Sequence, residues 1–371
     1  MRYPLAPLAL LATSLTVSGV LAAPTSDMMK HARPLFLALP NNSPGHLAPV
    51  SPTAQLPQWN GSFVDRKGHT VNYTMVGTDP ATNNAATAIP VLIIPIKMVY
   101  GAGNGNMVFD PAKTTLPNGQ SLLSNFLHSP LFKANVTYVQ GGVNLGKTQY
   151  IDAFQRGNFW SSVSTNTQYH VRLGSPTMLP EQRITVLPGE GSVEANPFAP
   201  PGVTANVGTY EYQLFDKKLQ RFISNLTEIH PGVLPLFVTK DIYLTEGICC
   251  IGGYHSSNGS QPGGQTYAYA TYVDTPGAFS EDVSAFSHEI GEWMDDPFID
   301  NFVHCKDNSI MEDGDPLENN ANYGAYPYTV NGFTYNLQSL VFIGYFGARP
   351  STSVHSWLSF QNDEPSVCPG Q

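Results

Sequence analysis

The sequence predicts a single α+β domain, and three observations predict it. Apolar residues recur with two spacings, alternating or continuous over short runs and near 3.6 residues over longer ones. No internal repeat occurs, and no Pro-, Gly- or Ser-rich linker interrupts the interior of the chain. Residues 24–58 are Pro-rich and weakly periodic, so they read as an extended lead-in or propeptide, with the domain expected over residues 59–371. The β-branched run Val91-Leu92-Ile93-Ile94-Pro95-Ile96 predicts a buried strand ending near Pro95. Residues 149–160 predict a short helix, with Asp152 and Arg156 one turn apart as a surface ion pair. A better helix is expected over residues 210–229. Phe215, Leu219, Phe222 and Leu226 share its face, and His230-Pro231-Gly232 stops it. Residues 233–244 then return as a strand, and the Cys249-Cys250 pair marks a turn. Residues 265–272 alternate Tyr and Thr against Ala, as a further strand would. Asn331-Gly332, set between two apolar triplets, signals a hairpin with a type I′ turn.

Charged residues make up 12% of the 371, about half the usual share, while Pro and Gly number 31 and 33. Such a composition is that of a rigid, loop-rich secreted protein. Residues 1–23 fit a signal peptide: Arg2 supplies the positive start, residues 8–21 the apolar run, and Leu21-Ala22-Ala23 the small-residue cleavage site. No later stretch is long and apolar enough for a membrane span. Sequons at Asn60, Asn72, Asn135, Asn225 and Asn258 fit a secreted glycoprotein. Export to an oxidising compartment expects Cys249, Cys250, Cys305 and Cys368 to be disulfide-bonded. A bond between the adjacent pair closes a small strained ring. Each of Cys249 and Cys250 is therefore expected to pair with one of Cys305 and Cys368. No C-x-x-C spacing favours a zinc–cysteine site.

The net charge of −10 is concentrated in one place. Residues 280–320 hold twelve Asp or Glu against a single Lys, leaving the rest of the chain near neutral. No basic stripe exists, which excludes nucleic acid as a partner. Within the acidic segment, Ser280-Glu281-Asp282 is expected to open a helix that Pro297 ends. At about 100° per residue, Val283, Phe286, Ile290, Trp293 and Met294 share one side of it. Glu281, His288, Glu289, Glu292 and Asp295 share the other. His288 and Glu292 meet one turn apart, the spacing of two ligands to one metal ion. Glu289, displaced by about 100°, is placed to take a proton from water beside the ion. A second acidic cluster, Glu312-Asp313-Gly314-Asp315, follows. Carboxylates crowded in this way repel unless a cation sits among them.

The H-E-x-x-E run at residues 288–292 resembles a variant of the H-E-x-x-H helix of zincin metallopeptidases. The order of Cys250-Ile251-Gly252-Gly253-Tyr254-His255, then Ser287-His288-Glu289-Ile290-Gly291-Glu292 with Asp296-Pro297, then Glu312-Asp313-Gly314-Asp315 is similar to that in secreted phosphate-induced, Exordium-like proteins. It also resembles a broader set of exported microbial proteins. Both likenesses cover roughly residues 245–320. The zincin resemblance implies a single zincin-like α+β domain with a mixed sheet and a metal-bearing active-site helix. It also implies a secreted metallopeptidase acting on a protein or peptide substrate. Carried over by position, His288 and Glu292 are metal ligands, Glu289 is the general base, and Glu312 or Asp315 completes the shell. His255 is then a catalytic oxyanion-stabilising group or a further ligand. The implied ion is zinc; Glu292 in place of a second His hardens the site and keeps manganese and calcium as alternatives. The Exordium-like resemblance implies instead a non-catalytic extracellular protein with a structural calcium site. A third expectation, two carboxylates cleaving a glycosidic bond, leaves His288 without a role. His304, close in sequence to the acids, is a surface histidine or an additional ligand. No G-x-S-x-G elbow and no phosphate-binding Gly pattern are present.

Overall fold

A computed structural model describes residues 26–40, 54–307 and 309–371. The expected signal peptide, residues 1–23, lies outside the described residues. The architecture is mixed α+β, with a curled mixed sheet of eleven strands and few helices. Its centre is the parallel trio Val91–Tyr100, Leu234–Lys240 and Gln265–Tyr272. Cys249–Asn258 continues the sheet antiparallel to Gln265–Tyr272, and Ile242–Thr245 follows it, antiparallel again. Asn206–Glu211 then pairs parallel to Ile242–Thr245. Every residue of the Cys249–Asn258 and Gln265–Tyr272 strands is buried, so both faces of this part of the sheet are covered.

Several elements follow the periodicity of the sequence closely. Tyr212–Asn225 is helical with Phe215 and Leu219 buried. The hairpin Ala325–Val330 with Phe333–Gln338 turns at Asn331 and Gly332, whose φ values of 52° and 79° are those a type I′ turn requires. Other elements depart from expectation for identifiable reasons. The Val91–Tyr100 strand runs straight through Pro95. On one edge its neighbour changes there: Thr177–Met178 pairs as far as Ile93, and Gln182–Val186 takes over at Ile96. A residue without an N–H fits that gap in the ladder. The strand expected over residues 233–244 is broken at Asp241, whose φ of 51° turns the chain into the separate strand Ile242–Thr245. Leu35–Leu39, within the Pro-rich lead-in and upstream of Trp59, joins the main sheet parallel to Cys249–Asn258.

Asp152 and Arg156 are not a surface pair. Both are buried in the helix Tyr150–Asn158. Asp152 accepts from the Val171 amide and lies 2.7 Å from His170 Nδ1, while Arg156 donates to the carbonyls of Leu145 and Tyr169.

The disulfide pairing is also corrected. Cys249 is bonded to Cys250 across a cis peptide, and Cys305 to Cys368. The C-terminal segment returns beside Cys305, putting the Cys305 and Cys368 Cα atoms 5.6 Å apart, while Cys249 and Cys250 are buried at the start of their strand. The Cys305–Cys368 bond closes a loop with a sequence separation of 63. Replacing both by Ser is expected to destabilise the protein by about 4 kcal/mol, from the loop entropy restored to the unfolded chain. Denaturant titration of the double variant checks this.

Candidate metal centre

The helix Ser284–Asp295 carries the H-E-x-x-E run, and all twelve of its residues are buried. Its start differs from expectation. Ser280 and Asp282 have φ of 62° and 43°, and the Asp282 carboxylate accepts from the Asn336 amide instead of capping the helix. Its end at Asp296 is as expected ahead of Pro297. The apolar side, with Phe286, Ile290, Trp293 and Met294, joins the main core, where Trp293 Nε1 donates to Thr266 Oγ1. The polar side faces inward as well, covered by the Phe333–Gln338 strand, residues 312–315 and the Cys249–Asn258 strand.

The structure brings together all six expected site residues. His288 Nε2 lies 2.9 Å from Glu292 Oε1 and 3.5 Å from Asp315 Oδ1. His255 Nδ1 lies 3.5 Å from Glu289 Oε2 and 3.8 Å from both Glu292 Oε2 and Glu312 Oε2. His255, Glu292 and Glu312 each offer a ligand atom within 4.8 Å of the others, and so do His288, Glu289 and Glu292. Glu292 therefore sits between two overlapping ligand sets, one facing each of its oxygens. His255 reaches the site by strand pairing, on Cys249–Asn258.

Both imidazoles are held in a defined orientation. His255 Nε2 faces the Asp296 carbonyl at 3.2 Å, and a carbonyl only accepts, so Nε2 carries the hydrogen and Nδ1 presents its lone pair to the carboxylates. For His288 the same logic runs through Gln338. Gln338 Nε2 donates to the Gly314 carbonyl at 3.0 Å, which fixes Oε1 as the atom facing His288 Nδ1 at 2.9 Å. His288 Nδ1 is then a donor, and Nε2 faces Glu292 Oε1 at 2.9 Å, where it carries a proton in the metal-free chain and would present its lone pair to a bound ion. Outer-shell partners of this kind orient metal-ligating histidines.

The centre is short of positive charge. His255 Nδ1 and both oxygens of Glu289 are buried with no hydrogen-bond partner among the described residues, and the buried Glu312 carboxyl pairs with the Glu292 carboxyl. Burial pushes the Glu289 and Glu312 carboxyls well above their usual range, and the neighbouring Glu292 adds to both. Burial acts upward on Glu292 too, but the His288 ring outweighs it and holds Glu292 low. For His288, burial favours the neutral ring, yet Glu292 and Asp315 raise its pKa overall. Burial lowers His255 to about 4, so it is neutral near pH 7 and cannot supply the missing charge. A lone pair aimed at three carboxyl oxygens is repulsive unless a proton or a metal cation lies between them. These buried His, Glu and Asp groups can hold a metal ion, and the donor set fits one.

Two glycines make the geometry possible. A Cβ on Gly253 would lie 2.7 Å from Glu289 Oε1, and one on Gly314 would lie 2.4 Å from His288 Nδ1. The quoted motifs contain both, although spacing alone does not disclose their role. Gln338 carries no signal in the sequence. Asp295, expected beside His288, instead accepts from Gln155 and pairs with Asp313 behind the centre. His304 is half-exposed and lies 3.3 Å from Asp65 in a separate surface group with His69. Gln338→Leu is expected to weaken metal binding by about 10- to 100-fold, because His288 loses the partner that orients its ring. Competition with a chromophoric chelator reads that change.

No family model, curated protein or solved structure matches the chain. No helix among the described residues is long and apolar enough to cross a membrane.

Proposed function

We propose that the chain is an exported, zincin-like metal-dependent hydrolase acting on peptide bonds. The observation that carries this reading is the pair of orientation-fixed histidines facing a buried group of carboxyls, among them the Glu289 oxygens, which have no hydrogen-bond partner among the described residues. His288, Glu292 and Asp315 would hold the ion, with Glu312 and His255 closing the opposite side. Once bound, a divalent cation supplies Lewis-acid polarisation of a carbonyl and makes nearby water acidic. Glu289 takes the proton from the attacking water, and its burial gives it the basicity to do so. It then returns that proton to the leaving amine. Gln338 and the Asp296 carbonyl keep the two imidazoles from rotating. The two nitrogen and several oxygen donors fit zinc, with manganese as the harder alternative.

The burial of the donors favours a second reading. Among the proposed ligands only Asp315 is substantially exposed, at 38% of its side chain, where it borders a surface pocket of about 220 Å³ with Glu318 and Tyr345. A cation sealed this deeply also suits a structural role, such as calcium in a non-catalytic extracellular protein. Elemental analysis of the purified protein beside a His288→Ala, Glu292→Ala double variant tests both readings. The hydrolase reading expects stoichiometric zinc in the parent, none in the variant, and chelator-sensitive peptidase activity that zinc restores. Calcium, with no activity and a lower Tm on chelation, would establish the structural reading instead.

A further inference from the structure

The strand Leu35–Leu39 covers the centre from the edge of the main sheet. Cys249–Asn258 has two edges. One is paired with Gln265–Tyr272 over residues 265–270. The other is paired with Ile242–Thr245 only at Cys249 and Ile251. Past Ile251 that second edge has, among the described residues, one neighbour, Leu35–Leu39, running parallel, with Phe36 opposite Gly253 and Ala38 opposite His255. The strand is itself paired on one side only, and it is bracketed by Pro34 and Pro40, which have no N–H to donate.

Side chains alternate along such a strand. Leu35, Leu37 and Leu39 turn to the apolar core on one face of the sheet. Phe36 turns the other way, onto the metal centre. Its ring stacks on the His288 imidazole at a centroid distance of 3.7 Å and meets Phe279 edge-on at 5.0 Å. The backbone is anchored where Ser256 Oγ donates to the Leu39 carbonyl, and where Arg33 exchanges backbone bonds with Cys249 and Cys250. A main chain bonded to a sheet edge, with alternate side chains in pockets, is how an extended peptide is recognised by strand addition.

We infer that the edge formed by residues 252–256 is a binding groove for an extended polypeptide, presently filled by residues 33–40 of this chain. The groove accepts a large aromatic or aliphatic side chain against His288 and a small one, two residues later, opposite His255. Residues 33–40 are a self-bound occupant that closes the centre until displaced. Calling the displacing peptide a substrate rests on the hydrolase reading; the groove itself rests on the strand geometry alone.

The test uses full-length protein and a fluorescein-labelled peptide of residues 33–40, Arg-Pro-Leu-Phe-Leu-Ala-Leu-Pro. Parent protein, its groove filled, is expected to bind the peptide weakly. Phe36→Ala and the milder Phe36→Leu loosen the resident strand and are expected to bind the peptide at least about tenfold more tightly by anisotropy. The same peptide with Ala in place of Phe is expected to lose that gain. In zinc-loaded protein, Phe36→Ala is expected to speed metal removal by a chelator at least about tenfold. Folded variants that bind no more peptide than the parent would overturn the proposal. So would unfolding of both variants, since the strand would then be a fixed part of the fold. Peptide binding without any metal uptake would keep the groove and sink the hydrolase.

Discussion

Replacing Glu289 by Gln is expected to lower peptide-bond hydrolysis by about 10²- to 10⁴-fold while leaving the metal content unchanged. The amide has the size and shape of the carboxylate it replaces, but it cannot take a proton at neutral pH. Neither oxygen of Glu289 has a hydrogen-bond partner among the described residues, so the change breaks no hydrogen bond there, and His255 Nδ1 lies 3.5 Å from Oε2. It also removes a buried ionisable group whose charged form is opposed by burial and by the Glu292 carboxylate. Stability should therefore hold or rise slightly. On the proposed hydrolase reading the effect belongs in kcat, because the proposed ligands His288, Glu292 and Asp315 and the proposed groove keep their residues. In the parent, kcat/KM should fall on the acid side as the base is protonated, and the variant should lose that limb. Full turnover in a Glu289→Gln protein that retains its zinc would remove Glu289 from the chemistry. Loss of the metal would make it a ligand instead.

The helical face bearing His288, Glu289 and Glu292 was legible because its spacing depends only on the pitch of a helix. The Glu312–Asp315 turn was legible because uncompensated charge is visible in a bare sequence. Burial of that face was not. A polar stripe predicts an open cleft edge, whereas the hairpin strand, the turn and the His255 strand close over it from three distant parts of the chain. Gln338 was invisible for the same reason. It lies fifty residues from His288, and nothing distinguishes a glutamine that orients a ring from one facing water. The cysteine pairing failed because ring size argues about local geometry, while the choice of partner is made by the path that returns residue 368 to residue 305. Leu35–Leu39 did leave a trace, five apolar residues between two prolines. The surrounding Pro-rich composition hid it, and its partner strand starts more than two hundred residues later. Local periodicity carries local structure; what covers a site is decided by long-range pairing.

Removing the metal is expected to make stability depend steeply on pH. In the metal-free protein the folded-state pKa is pushed to about 7 for Asp295 and about 8 for Asp296, chiefly by burial, and upward for Glu289 and Glu312. A group whose folded pKa is raised binds more protons folded than unfolded, so stability falls as pH climbs from about 4 to 8. His288, also raised, contributes in the same sense above about 6.5. Two groups oppose this at lower pH. Neutral His255, lowered to about 4, costs stability as pH drops below about 6.5, and Glu292, held low by His288, loses its contribution as it protonates below about 4.5. The raised carboxyls outnumber the lowered groups, so the metal-free protein is most stable on the acid side of neutrality. One pKa unit corresponds to about 1.4 kcal/mol, so the buried carboxyls together are worth several kcal/mol across that window. Binding a divalent cation requires the ligand carboxyls, Glu312 and Asp315 among them, to be ionised and releases their protons, which opposes the trend. Chelation at pH 8 should therefore lower Tm by about 10 °C or more, and at pH 5 by less than about a third of that. Calorimetry with and without chelator at the two pH values measures both shifts. Equal shifts would mean that protons do not substitute for the metal, and no shift at either pH would mean that the carboxylates around His255 are neutralised by something other than an ion.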